Sequence, residues 1–236
     1  MNKSIVHATN DRAVLHTLQV GNHSLSVFDT VGSCAARLIE EELRSDTYCL
    51  RNVPLDAGDV IIDLGGHVGI FAIYIARLCP ACKIHSFEPY PFNAELFEVN
   101  LKLNDVGNVS LHRMAVSADG RALTLSTNPH NSGAATACSS TLKCRSVAGV
   151  PSTTLDAVFR ELIPNRCKLL KIDCEGMEHE ILHTTTVMKS VDYLRGEFHI
   201  NDRLLQEGYS IERLAKCCLT TIDKTRIKVK RCKMSE

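Results

Sequence analysis

From residue 59 onward, short apolar runs alternate with stretches in which apolar residues recur every three or four positions. The short runs predict buried strands, and the periodic stretches predict the helices that connect them. Strand, helix, strand, helix, strand implies right-handed crossovers and a parallel sheet that is covered on both faces. The predicted strands are residues 60–64, 83–87 and 109–114, and the predicted helices are residues 68–78 and 92–103.

A second set of elements follows an interruption in this alternation. Residues 121–126 alternate like a strand, and the polar residues 128–140, rich in glycine, serine and alanine, predict a loop. Residues 154–162 predict a helix that begins at a serine and threonine cluster. The whole pattern predicts an α/β fold with a doubly wound, mostly parallel sheet and helices on both faces. The remaining predictions are strands at residues 168–173 and 191–200, helices at 177–183 and 204–207, and an edge strand at 222–229.

The first 58 residues have a different pattern of apolar and polar positions. Residues 17–20 and 24–28 predict two strands joined by a turn, and residues 34–44 carry apolar positions at helical spacing. No stretch rich in proline, glycine or serine separates them from the rest of the sequence. We therefore expect a short N-terminal extension, residues 1–58, that packs on a domain formed by residues 59–236.

Composition and charge exclude several classes of protein. The 236-residue chain is 44% hydrophobic and 23% charged, which is typical of a globular protein and not of a disordered one. Basic and acidic residues both number 27, so no basic excess favours a nucleic-acid partner. The longest apolar stretch is far shorter than the roughly 20 residues of a membrane span, and no secretory signal is visible. We expect a cytoplasmic protein that acts on a small molecule, away from membranes.

The eleven cysteines are odd in number and scattered through apolar stretches, which predicts buried, reduced thiols. Cys79 and Cys82 form a CxxC motif, but a zinc site would need a second ligand pair at suitable spacing. A metal or redox role is therefore not expected for these two residues.

A glycine-rich turn after the first strand of the alternating region is the first candidate binding site. The spacing of its glycines differs from the G-x-G-x-x-G of dinucleotide-binding proteins, which disfavours a dehydrogenase. Asp63 precedes the turn, where it would repel a pyrophosphate and suit an amine or a sulfonium. Glu88 ends the next strand, at the place where a carboxylate binds ribose hydroxyls in nucleotide-binding α/β folds. Together they predict a nucleoside-cofactor site; the alternative is that Asp63 caps a helix and Glu88 lies on the surface.

These motifs resemble the FkbM family of class I S-adenosylmethionine-dependent methyltransferases. The resemblance runs in family order from about residue 37 to 215, and its most specific piece is Ile172-Asp-x-Glu-Gly-x-Glu178. One departure is His67, where the family more often carries asparagine. The matching pieces are residues 60–69, 87–89 with Asn93 and Asn100, Ala115-Val116 with Gly120, and residues 154–156, 170–178 and 197–199.

The resemblance implies a Rossmann-like fold and S-adenosylmethionine as the cofactor. Asp63 and the glycine turn would hold the methionine end of the cofactor, and Glu88 would hold its ribose. Ala115 and Val116 would lie along the adenine, although plain core packing would account for them equally well. The predicted cofactor-binding residues are Asp63, Gly65, Gly66, His67, Gly69, Glu88, Pro89, Asn93, Ala115 and Val116.

Polar residues at the ends of two later strands are the predicted catalytic residues: Asp173, Glu175, Glu197 and His199. Carboxylates that lie close together raise one another's pKa, which makes a better proton acceptor. His199 titrates near neutral pH when unperturbed, so it is the natural candidate for the general base. The alternatives are a buried histidine beside helix-capping carboxylates, or a magnesium or calcium ion bound by the three acids. The resemblance does not require a metal, so none is included in the predicted site.

The predicted function is transfer of the methyl group of S-adenosylmethionine to a hydroxyl of a small metabolite, a sugar or a natural-product intermediate. The oxygen acceptor comes from the resemblance alone, and a nitrogen acceptor on the same scaffold is an alternative. A non-catalytic nucleoside-binding module is a further alternative, which the three carboxylates around one cleft disfavour. A homodimer is compatible with the sequence, which does not determine the oligomeric state.

Overall fold

The computed structural model describes residues 12–128, 130–137, 146–163, 165–200, 202–210, 212–214 and 225–231. Its first described elements are a hairpin and a helix, as predicted from the sequence. Strand β1 (Ala13–Val20) pairs antiparallel with β2 (His23–Thr30), and helix α1 (Ala35–Arg44) follows. The division of the chain at residue 58 stays a prediction.

The first half of the main sheet matches the predicted alternation of strands and helices. It contains β3 (Val60–Leu64), α2 (Ile70–Leu78), β4 (Lys83–Phe87), α3 (Pro91–Leu103) and β5 (Val109–His112). All five residues of β3 are buried, because helices or strands cover both faces of the sheet at its centre.

The second half begins with short strands: β6 (Ala115–Val116), β7 (Leu123–Asn128), β8 (Asn131–Thr136), β9 (Ser146–Val150) and β10 (Ser152–Thr153). Helix α4 (Leu155–Leu162) begins at Thr154, whose side chain accepts a hydrogen bond from the backbone N–H of Ala157. The last elements are β11 (Cys167–Ile172), α5 (Glu178–Thr184), β12 (Val191–Ile200), α6 (Asp202–Gln206) and β13 (Thr225–Arg231).

The loop predicted for residues 128–140 is wrong for residues 131–136, which form β8 and pair with β7. The β7–β8 pairing shifts its register at an irregularity, and glycine, serine and alanine are weak strand formers. Neither property leaves a clear alternating pattern in the sequence. Residues 129 and 138–140 lie outside the described part of this segment.

Six parallel strands form the main sheet in the order β5-β4-β3-β11-β12-β13. The chain builds outward from β3 in one direction and then returns to build outward from β11 in the other. The strand order therefore reverses between β3 and β11, and ligands of such sheets bind beyond the carboxyl ends of the strands at this point. The predicted fold class is confirmed, and β13 is the edge strand expected near residues 222–229, of which residues 222–224 lie outside the described chain.

Two asparagines of α3 attach the hairpin to the sheet domain. The side-chain amide of Asn100 accepts a hydrogen bond from the backbone N–H of Phe28 at 2.7 Å and donates to the carbonyl of Phe28 at 3.0 Å. Asn104 makes the same pair of bonds with Ser26. Each amide thus satisfies backbone N–H and C=O groups on the edge of β2, as a neighbouring strand would.

Cys79 and Cys82 are joined by a disulfide at the end of α2, with their Cα atoms 5.5 Å apart. The expectation of reduced thiols is wrong for this pair, whereas Cys34, Cys49 and Cys167 are free. A cytoplasmic location stays a prediction. Among the described helices, none has the length and apolar character needed to cross a bilayer.

Candidate active site

An open cavity, whose volume of about 1160 Å³ includes adjoining solvent, lies beyond the carboxyl ends of β3, β4, β11 and β12. Leu38, Ile39 and Glu42 of α1 form one wall, so the helix that precedes the main sheet contributes to the cavity. Of the predicted site residues, those that line it are Gly65, Gly66, His67, Glu88, Pro89, Asn93, Ala115, Val116, Asp173, Glu175 and Glu197.

The glycine turn lies tightly between two strands. A Cβ atom on Gly65 would lie 1.9 Å from the backbone oxygen of Asp173, and one on Gly66 would lie 2.2 Å from Oγ of Ser86. The backbone N–H groups of both glycines donate to the carbonyl of Phe87. Gly69 does not line the cavity, in contrast to its predicted role; its φ of +91° ends the turn, and a Cβ there would clash with the ring of Phe97. The first two glycines thus bring the backbone to the cavity wall.

Glu88 lies at the cavity, and the alternative of a surface carboxylate is wrong. The residue is 4% exposed. Its Oε2 accepts a hydrogen bond from the backbone N–H of His67 at 2.7 Å, and its Oε1 accepts one from the N–H of Tyr90 at 2.8 Å. Burial raises the pKa of Glu88 to about 7. The carboxylate therefore changes its charge close to neutral pH.

Asp63 lies behind the cavity wall, in contrast to its predicted contact with the cofactor. Its side chain is fully buried, with Oδ2 accepting a hydrogen bond from Ser86 and Oδ1 lying 3.1 Å from Nζ of Lys171. Lys171 also donates to the carbonyl of Gly65 at 2.8 Å. Asp63 thus acts on the glycine turn through the lysine directly opposite it on β11. A lysine within the apolar run of residues 167–172 was the signal in the sequence that could have revealed this pair.

His67 is held by two residues that the sequence interpretation missed. Ser132 Oγ donates to Oδ1 of Asp29 at 2.7 Å, so the hydroxyl accepts the N–H of His67 Nε2 at 2.6 Å. Burial alone would raise the pKa of Asp29, but hydrogen bonds from His67 and Ser132 lower it. The other ring nitrogen, Nδ1, is buried at the cavity without a hydrogen-bond partner in the described structure. It is therefore the polar atom that a ligand would satisfy.

The remaining predicted cofactor residues lie along the same wall. Asn93 donates from its side chain to the backbone carbonyl of Ser132 at 3.0 Å. Ala115 and Val116 are buried in β6, which pairs with β10. They belong to the hydrophobic core and also line the cavity, so packing and ligand contact are compatible at these positions.

The predicted catalytic residues converge at the ends of β11 and β12. The backbone turns immediately after β11, with φ of +51° at Glu175 and +111° at Gly176, as Gly176 suggested. Asp173 and Glu197 line the cavity, and the hydroxyl of Tyr48, which follows α1, donates to Oδ2 of Asp173 at 3.4 Å. Burial raises the pKa of Asp173, although the charges of Lys171 and His199 oppose that shift.

His199 lies behind these carboxylates and is only 2% exposed. Burial alone would lower the pKa of His199, but the hydrogen bond to Glu178 and the charges of Glu175 and Asp173 raise it to about 9. The ring is therefore protonated at neutral pH, which does not suit the general base predicted from the sequence. Glu178 is a further residue that the sequence interpretation did not assign to the site.

Comparison with known proteins places this arrangement among methyltransferases. Residues 63–205 match the sequence profile described as "Methyltransferase FkbM domain". Methyltransferase 1 of Beauveria bassiana (strain ARSEF 2860) is 28% identical over 176 residues, which cover 66% of this chain and 71% of the relative. The 31-O-demethyl-FK506 methyltransferase FkbM of Streptomyces tacrolimicus is 32% identical over 79 residues, 33% of this chain and 30% of that protein.

Solved structures of other proteins also resemble this chain, and one of them serves as an example. It is a precorrin-6y C5,15-methyltransferase from Geobacter metallireducens GS-15, 18% identical, with a TM-score of 0.40. The superposition covers 64% of this chain and 57% of that protein.

Proposed function

Because the chain belongs to the FkbM family of S-adenosylmethionine-dependent methyltransferases, we propose that it methylates a hydroxyl of a small metabolite, a sugar or a natural-product intermediate. The observation that supports this most is the placement of three carboxylates, Asp173, Glu175 and Glu197, at one end of a cavity whose other wall suits a nucleoside. A hydroxyl must lose its proton as it is methylated, and such carboxylates supply proton acceptors.

The residues of the cavity wall fit S-adenosylmethionine. The buried Nδ1 of His67 has no hydrogen-bond partner among the described residues, and the glycine turn brings backbone close to the same space. We assign the methionine end of the cofactor to Gly65, Gly66 and His67, and the ribose to Glu88. Asp63 and Gly69 shape the turn from behind. When bound, the cofactor supplies an electrophilic methyl group on a positively charged sulfur.

The remaining predicted contacts complete the cofactor wall. Pro89 and Asn93 follow Glu88 at the start of α3, and both line the cavity. Ala115 and Val116 offer an apolar surface that suits the adenine ring. This assignment leaves the carboxylate-lined end of the cavity for the methyl acceptor.

A nitrogen acceptor is a second candidate, because four carboxylates surround His199 at the acceptor end. Carboxylates at the cavity would attract a protonated amine, and the same groups would accept its proton before transfer. The oxygen acceptor is preferred because the relative named 31-O-demethyl-FK506 methyltransferase has an oxygen position in its name.

Methyl transfer from labelled cofactor distinguishes the two acceptors. The protein is incubated with S-adenosylmethionine carrying a trideuterated methyl group and with panels of hydroxylated and aminated small molecules. We expect label on oxygen, located by tandem mass spectrometry, and at least a hundredfold slower transfer by Asp173→Asn with cofactor affinity retained. Label found on nitrogen alone would contradict the hydroxyl acceptor.

Affinity for S-adenosylhomocysteine should decrease as the pH falls below about 7, because Glu88 then becomes protonated. A neutral carboxyl group accepts hydrogen bonds from the ribose hydroxyls more weakly than a carboxylate does. Its raised pKa means that the carboxylate is ionised above that pH and neutral below it. The loss approaches about tenfold per pH unit if only the ionised form binds. His67 and Lys171 are the charged or titratable groups that act on Glu88.

Calorimetry between pH 6 and 8 measures this dependence. Glu88→Gln should bind more weakly at pH 8 and lose most of the pH dependence. The matched control is Glu98→Gln, since Glu98 is half exposed and pairs with Arg113 outside the cavity. Equal pH profiles for wild type and Glu88→Gln would contradict the ribose assignment.

A further inference from the structure

Helix α1 extends along the cavity from the glycine turn to the carboxylates. It begins close to the turn, because the backbone N–H of Ala36 donates at 3.1 Å to Asp29, the carboxylate that contacts the histidine of the turn. It ends close to the carboxylates, because the hydroxyl of Tyr48 lies 3.3 Å from Oε2 of Glu42 and 3.4 Å from Oδ2 of Asp173. The helix therefore connects the proposed cofactor site with the acceptor end.

Strand β8 lines the cavity between the same two ends. At the turn, Oγ of Ser132 lies 2.6 Å from Nε2 of His67. At the acceptor end, the hydroxyl of Thr136 donates to the backbone carbonyl of Glu175 at 2.6 Å. Hydrogen bonds at both ends thus fix the strand relative to the site.

The walls that α1 and β8 form are apolar between their ends. One face of the helix and every second position of the strand line the cavity, as the periods of the two structures require. Their polar lining residues, Asn131 and Glu42, lie at the ends. A Cβ on Gly133 would lie 3.6 Å from that of Ala35, so the two walls meet near the turn. The lining residues between the ends are Ala35, Leu38, Ile39, Gly133, Ala135 and Ala137.

Two aromatic rings and an exposed leucine continue this apolar surface. Phe71 and Tyr48 both line the cavity, and their ring centroids lie 6.0 Å apart in an edge-on contact. Leu38 lines the cavity and is nevertheless 46% exposed, which places it at the rim. An exposed large apolar side chain beside a cavity is typical of a groove that binds an apolar ligand.

We propose that the methyl acceptor is an apolar molecule that presents one hydroxyl to Asp173 and keeps its hydrocarbon surface against α1 and β8. This inference rests on the proposed methylation of a hydroxyl and narrows it, because it excludes a sugar. On transfer, the oxygen gains the methyl group that leaves sulfur, and the hydroxyl proton passes to the carboxylate.

The energetics of desolvation favour an apolar acceptor over a sugar. A sugar carries several hydroxyls, and those that face a wall without hydrogen-bonding side chains lose their bonds to water. Hydrocarbon surface gains free energy on entering the same space. The carboxylate end suits a single hydroxyl, because an ionised carboxylate accepts hydrogen bonds and donates none.

Saturation-transfer NMR on the full chain with S-adenosylhomocysteine bound tests the acceptor class. The probes are 4-cyclohexylcyclohexanol and methyl maltoside, which likewise contains two rings. We expect saturation transfer to the hydrocarbon protons of the alcohol and a Kd lower than that of the glycoside by a factor of about ten or more. With trideuterated cofactor, kcat/KM should favour the alcohol by a similar factor.

Leu38→Gln tests the wall itself. The variant should raise KM for 4-cyclohexylcyclohexanol by a factor of about ten, with kcat and the affinity for S-adenosylhomocysteine close to wild type. The matched control is Leu78→Gln, since Leu78 is 43% exposed at the end of α2 and lies outside the cavity lining. The control should match the wild type in all three quantities.

Two results would overturn the proposal: the glycoside binds as tightly as the alcohol, or the alcohol shows no saturation transfer. Equal KM values for Leu38→Gln and Leu78→Gln would also overturn it. The corresponding amine, 4-cyclohexylcyclohexylamine, separates the proposal from the proposed function. Methyl label on its nitrogen alone would contradict the hydroxyl of the proposed function, and its binding would still support apolar walls.

Discussion

Replacing Asp63 with alanine should destabilise the protein by about 3–5 kcal/mol, the usual cost of leaving one partner of a buried ion pair uncompensated. Asp63 is fully buried, and the side chain of Lys171 is 5% exposed. Burial alone would lower the pKa of Lys171, but the charges of Asp63 and Asp173 raise it, so the lysine stays charged. Urea denaturation, with the slope compared between variants, measures the loss.

Two controls separate the charge from general damage to the core. The double variant Asp63→Leu/Lys171→Met removes both charges and should recover most of the lost stability. Lys168 and Asp59 form a partly exposed pair at 3.6 Å, so Lys168→Met should cost less than about 1 kcal/mol. If Asp63→Ala and Lys168→Met lowered the free energy of unfolding equally, the buried pair of Asp63 and Lys171 would not be a stabilising feature.

Asp63→Ala should also weaken cofactor binding, although Asp63 does not line the cavity. Lys171 joins the carboxylate of Asp63 to the carbonyl of Gly65, and loss of the carboxylate frees the lysine to move. Calorimetry with S-adenosylhomocysteine should therefore show at least a tenfold loss of affinity for Asp63→Ala. An unchanged affinity in a folded variant would mean that the lysine does not position the turn.

Gly65→Ala should be the second severe substitution, because its Cβ would lie 1.9 Å from the backbone oxygen of Asp173. The φ of +81° adds strain, since L side chains rarely adopt this backbone conformation. Overpacking and strain of this kind together cost about 2–5 kcal/mol. We also expect cofactor affinity to fall at least a hundredfold, because β3 and β11 must separate where the cavity lies.

Gly107→Ala is the matched control for this prediction. A Cβ at Gly107 meets nothing within 4 Å, and its φ lies outside the left-handed region. The free energy of unfolding of Gly107→Ala should stay within about 0.5 kcal/mol of the wild-type value. A Gly65→Ala protein with wild-type stability and cofactor affinity would contradict the tight approach of the two strands.

Most elements of the sheet were predictable because their signals are local. The mostly apolar run of residues 60–64 became β3, and the predicted strand at residues 191–200 became β12. Strand β8 was missed because small polar residues carry no clear period. Gly196 was not singled out either, although a Cβ there would lie 1.9 Å from the backbone oxygen of Ile172. The sequence alone does not show whether a glycine within a strand is required by close packing against the neighbouring strand.

The candidate site was predictable in position and less so in detail. Strand ends indicated Glu88, Asp173 and Glu197, and the structure places all three at the cavity. Asp63 and His199 lie behind it. A residue's place along a strand predicts which end of the sheet it reaches, but not whether a partner covers it. The assigned roles of these residues stay proposals.

The sequence by itself determined the order of strands and helices, the glycine turn and the collection of acidic residues at one edge of the sheet. These depend on neighbouring positions along the chain. Only the tertiary structure decided which ionisable groups meet: Asp63 with Lys171, Asp29 with His67, and four carboxylates around His199. Burial and the distances between residues far apart in sequence set those pairings.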